Sequence, residues 1–168
     1  KERDGHEHIS VIRLITRLIF CWFVKEKGLI PADLFEEKKM SDILDGFDPR
    51  DSSILDSVFY KAILQNLFFA TLNTEMNERQ WRVNGKDFVA HDLYCHKDLF
   101  KQSNEALELF NKIPYLNGGL FECLDRMHGD NSNTWHEWFD GFSNHKENQP
   151  IVPDFLFFGT EQILDLSK

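Results

Sequence analysis

His91, Cys95 and His96 fall within six residues, and imidazole and thiolate are the groups with which proteins hold zinc. Cys123 and His136 could close such a site from farther along the chain. The spacing lacks the paired Cys-x-x-Cys or His-x-x-x-His pattern of structural zinc, so a plain surface cluster is the stronger reading. A magnesium nuclease would need a Pro-Asp turn, then Asp or Glu, one residue and Lys. No such triplet follows Pro153-Asp154, and Glu37-Lys38-Lys39 lies on an expected helix. A nucleotide or methyl-donor site would need a Gly-rich turn between strand and helix, and neither G-x-G-x-x-G nor a P-loop occurs.

The stretch "IPYLNGGLFE", Ile113 to Glu122, offers a different chemistry. Tyr115, Asn117, Gly118 and Gly119 form a turn framed by apolar side chains. Consecutive amides there could face a phosphate. The alternative is a buried corner, because Gly and Asn tolerate positive φ. Arg13 and Arg17, four apart and so on one helix face, could likewise reach a DNA backbone, though salt bridging or snorkelling beside a buried helix competes with that role.

These residues need elements to position them. From His8 to Lys27 the chain is strong helix material, stopped by Gly28 and Pro31. Leu14, Leu18, Cys21 and Trp22 mark an apolar face, and the second half is apolar nearly all round, which predicts a central helix. A short helix is expected after Pro31, then a linker from Lys39 to Arg50 broken by Gly46 and Pro49. Ser53 to Asp56 resembles a capping box ahead of a helix to Leu72, with Phe59, Ile63, Leu67 and Ala70 as core stripe, packed on the first helix. Asn84-Gly85 within "WRVNGKDFV" predicts a tight hairpin, Asn104 to Asn111 a helix ended by Pro114, and Asn133 to Phe142 a short helix capped by Asn133 or Thr134. The fold class expected is mainly α, an irregular helical bundle with room for one short β-hairpin.

Composition sets the outer limits. Hydrophobic residues at 42% and aromatics at 14% require a packed interior. A net charge of −9 argues against a free-standing nucleic-acid binder. Three separated cysteines make a disulfide framework unlikely and point to the cytoplasm. The most apolar run, Leu18 to Val24, is too short for a bilayer span. The opening "KERDGHEH" reads as the start of an excised piece.

Four segments in order, "RLITRLIFCWFVKEKGLI" (13–30), "FYKAILQNLFFATLN" (59–73), "FNKIPYLNGGLFE" (110–122) and "IVPDFLFFG" (151–159), resemble the helical region that precedes the methyltransferase domain of type IIG restriction-modification enzymes. The resemblance implies that residues 1–168 are a single helical connector domain within a longer chain. It further implies a parent that binds double-stranded DNA, methylates adenine N6 with S-adenosylmethionine and cleaves with Mg²⁺. Neither the family's Asn-Pro-Pro-aromatic motif nor its nuclease triplet occurs here, so the segment would be non-catalytic. It would hold nuclease and methyltransferase together, with Tyr115, Asn117, Gly118, Gly119, Arg13 and Arg17 at a domain junction or on the DNA backbone. Two rivals are a stand-alone interaction module docking through its aromatic C-terminal surface, and a small metal enzyme using His91, Cys95 and His96.

Overall fold

The computed structural model describes residues 3–51, 55–83, 91–116, 118–130 and 133–158. Among the described residues about 49% are helical and one small antiparallel sheet is present, so the mainly α expectation holds. The first helix, α1, spans Arg3–Glu26. Gly28, at φ +72°, ends it: its N–H donates to the Lys25 carbonyl and that of Leu29 reaches back to Val24, the paired bonds of a Schellman motif. A 3-10 turn, Ala32–Phe35, and α2, Glu37–Ile43, follow. The helix therefore continues through Lys39–Ile43, where a linker was expected, because Met40 and Ile43 bury against the core.

The centre of the fold is the helix Tyr60–Leu72, wound in the wider π geometry. The hydroxyls of Thr71 and Thr74 donate to the carbonyls of Asn66 and Phe69, five residues back, in keeping with that winding. Every residue of this helix but Lys61 is buried, Gln65 and Asn66 included at 0% exposure. This is the central helix; α1 is not. A helix apolar all round can be buried or can await a partner, and α1 presents Ile12, Ile15, Ile19 and Trp22 outward while Leu18, Cys21 and Val24 face the core. Residues 55–57, just ahead of the central helix, are not helical. Ser53 lies outside the described residues, and the carboxylate of Asp154, 95 positions away, accepts the Phe59 N–H at 2.8 Å.

The helix expected near Asn104 is α3, Ser103–Phe110. The segment expected to form a helix from Asn133 is instead β2, Asn133–Glu137, paired antiparallel with β1, Arg126–Asp130, with Met127 opposite His136 and His128 opposite Trp135. Cross-strand packing decides against local helix signals here: the His128 and Trp135 rings stack at 4.2 Å. The Asn84-Gly85 hairpin lies outside the described residues. Trp81, at its edge, bridges in parallel to Tyr94. In the aromatic C-terminal segment Phe142, Phe157 and Phe158 turn inward against Phe69 and Phe59, while Trp135 stays exposed and Trp138 is half-buried.

Candidate functional site

The turn at Ile113 to Glu122 sits where α1 meets the central helix. Ile113 and Phe121 are buried, and the Phe121 ring lies 5.5 Å from Phe20 of α1 and 6.0 Å from Phe68 of the central helix. Leu116 N–H donates to the last carbonyl of the central helix, that of Leu72. The oily frame of the turn is thus a set of anchors into two helices.

Arg17 locks this corner. At 1% exposure its Nε donates to Leu120 O at 2.9 Å, Nη2 to Glu122 O at 3.0 Å, and Nη1 pairs with Asp140 Oδ1 at 2.5 Å. Its guanidinium lies 4.8 Å from the Phe69 ring centre. Arg13, one turn earlier, adds a second donor to Glu122 O, and burial beside Arg17 holds its pKa below the usual guanidinium range. Both side chains act on the fold itself. Of the remaining junction candidates, Gly119 is exposed, Gly118 and Tyr115 are half-buried, and Asn117 lies outside the described residues.

Gly118 and Gly119 do not need to be glycine for conformational reasons. Gly118 is extended, and a Cβ on Gly119 would meet nothing within 4 Å at ordinary φ. Gly119→Ala should therefore change folding stability by less than about 0.5 kcal/mol in urea unfolding. A loss above 2 kcal/mol would show a packing role that the geometry lacks.

A backbone nest does exist, at a place the sequence did not single out. The Asp125 carboxylate accepts four consecutive amides: Phe139, Asp140 and Gly141 on Oδ1 at 2.8–3.0 Å, and Phe142 on Oδ2 at 2.7 Å. Its anion is internal. Gly141, at φ +61°, is required there, since a Cβ would come within 2.4 Å of Asn148 O. Arg79 was missed too. It donates to the carbonyls of Thr71, Thr74, Phe110 and Ile113, tying the ends of the central helix and α3 to the start of the turn.

The residues of the metal hypothesis are held apart by other duties. Cys95 and His96 are buried, not a surface cluster. Cys95 Sγ contacts Asn144 Oδ1 at 2.8 Å. His96 Nε2 lies 3.1 Å from Gln65 Oε1, and because Gln65 Nε2 already donates to Asp140 O, the histidine must be the donor. Among the described residues no group of three His, Cys, Asp or Glu side chains could hold a metal ion.

Two buried titratable groups oppose one another. Burial, then Arg82 and Lys61, lowers the His96 pKa from 6.5 to about 3, so the fold keeps it neutral and loses stability as pH falls below 6.5. Burial raises the Asp154 pKa from 3.8 to about 7, so its contribution is complete below pH 3.8 and is lost as pH rises toward 7. Between these limits each slope is about 1.4 kcal/mol per pH unit, with opposite sign. Asp154→Asn should unmask a stability that rises with pH between 4 and 6.5, read by urea unfolding at stepped pH. An unchanged profile would remove the carboxyl from the account.

The chain is 32% identical over 161 residues, 92% of its length, to a Methanocaldococcus jannaschii protein whose name assigns it provisionally to type II restriction enzymes and methyltransferases. The match takes up 12% of that relative's length. No family model matches the chain, and no solved structure does. Among the described residues no helix is long and apolar enough to cross a membrane.

Proposed function

We propose that this chain is a non-catalytic helical connector within a type IIG restriction-modification enzyme, coupling a nuclease to an adenine-N6 DNA methyltransferase in the cytoplasm. The observation that carries the reading is the collinear 32% identity along nearly the whole chain to a small part of a much longer relative. The use of the cations supports it. Arg13, Arg17 and Arg79 are spent on the chain's own carbonyls, which stiffens a corner.

A connector must transmit position, and a rigid corner between two helices does so. The Tyr115, Gly118 and Gly119 side of the turn meets the adjoining domain or the DNA backbone, while Arg13 and Arg17 hold it from within. S-adenosylmethionine and Mg²⁺ belong to the other domains of the parent.

The test is to translate the natural reading frame on both sides and assay the whole polypeptide. A Gly-rich methyl-donor motif and an Asn-Pro-Pro-aromatic motif should follow Lys168, and the purified protein should methylate adenine in duplex DNA. A stop codon within a few residues of Lys168 would overturn the reading.

A further inference from the structure

A row of apolar side chains of α1 stands in solvent. Ile9, Ile12, Ile15, Ile19, Trp22 and Phe23 are each 41–63% exposed. They recur every three or four residues along about 21 Å of helix, which is one continuous stripe. Its central polar atom, the Thr16 hydroxyl, is satisfied by Ile12 O at 2.8 Å. Beside its N-terminal half, on the adjoining side of α1, Val11 and Leu14 line a cleft of about 430 Å³ that faces Trp138, Ile151 and Val152. Scattered exposed apolar residues need no explanation, but a contiguous face of this kind marks an interaction site.

We propose that this stripe and cleft seat an apolar helix from a neighbouring domain of the same polypeptide. The inference rests on the connector reading above. Three observations identify the occupant. The six members of the stripe are uncharged and a cation meets it at its C-terminal end, where Lys27 Nζ lies 5.3 Å from the Phe23 ring centre, so its length from Ile9 to Trp22 selects an aliphatic or aromatic face, and its spacing suits helix-on-helix packing. The opposite side of α1 is pinned through Arg17 to Asp140, Leu120 and Glu122, so the stripe is presented without further ordering cost. The matched relative carries 88% of its length outside the aligned region. A tethered domain acts at an effective concentration on the order of millimolar, which outcompetes a second copy at micromolar concentration roughly a thousandfold.

The test uses the natural full-length polypeptide carrying Ile15→Cys, with Met76→Cys as control in an exposed polar turn. Maleimide labelling at each site is read by peptide mass spectrometry and referred to the urea-unfolded protein. Ile15→Cys should label at least about tenfold slower in the native protein, at every protein concentration, while Met76→Cys does not. Native labelling of Ile15→Cys within about twofold of the unfolded rate overturns the proposal. Protection that grows with protein concentration assigns the face to a second copy, and protection that appears only with phosphatidylcholine vesicles assigns it to a membrane surface. Either result also overturns it. The connector reading fails by a different measurement, the absence of methyltransferase motifs in the flanking frame, and slow labelling would then still show cover by the same chain.

Discussion

Arg17→Met is expected to cost about 3–5 kcal/mol of folding stability, because it leaves the buried Asp140 carboxylate without its cation. The two oxygens of Asp140 face the Nη1 and Nη2 fork, and both residues are almost fully removed from water. The same substitution strips the Leu120 carbonyl of the Arg17 donor and leaves that of Glu122 with the Arg13 donor. Methionine fills much of the volume, so the loss is electrostatic. Arg17→Lys should recover little, since an ammonium cannot span a carboxylate and two carbonyls at once. Adding Asp140→Asn to Arg17→Met should restore part of the loss: the amide oxygen still accepts the Leu124 N–H, and no charge is stranded. Urea unfolding of the four-member cycle should give a coupling of about 1–3 kcal/mol, and strict additivity would show that the pair does not act as a unit.

Asp125→Ala is expected to be comparably severe, at about 3–5 kcal/mol, since it orphans the amides of Phe139, Asp140, Gly141 and Phe142 together. Asp125→Asn should cost about half as much, because one oxygen remains while the amide nitrogen meets a donor head-on. Hydrogen exchange separates this from general loosening. Amides 139–142 should exchange faster in Asp125→Asn by more than the global stability change allows. If all protected amides accelerate equally, the nest is not a local anchor.

These two networks also show what could be read from residues alone. The stop at Gly28, the α3 helix and the end at Pro114 depend on neighbours within a few positions, and local chemistry gave them. The corner at Ile113 to Glu122 could be recognised from its apolar frame, yet the reason offered, a glycine conformation, proved wrong. Apolar anchors and Arg17 hold it. Asp125 carried no signal, because four amides fourteen to seventeen positions away define its role; the Asp140-Gly141 pair could have hinted at the turn they form. The cap from Asp154, 95 positions from Phe59, was hidden for the same reason, whereas β1 and β2 pair residues three to eleven positions apart and were obscured by the helix-capping signal at Asn133 and Thr134. In α1, periodicity showed that the helix is apolar on most sides but not which side the chain itself would cover.

The Trp81–Tyr94 bridge has a consequence for how this region can vary. Arg82 N–H donates to Tyr94 O and Tyr94 N–H to Gln80 O, both at 2.9 Å, so the chain departs and returns at adjoining points of one seam. Whatever is spliced between them starts and finishes at a closed door. Doubling such an excursion adds only about 0.6 kcal/mol of closure entropy. The seam is therefore a natural graft point, where evolution or an engineer can exchange a whole peptide while the corner behind it stays as it was.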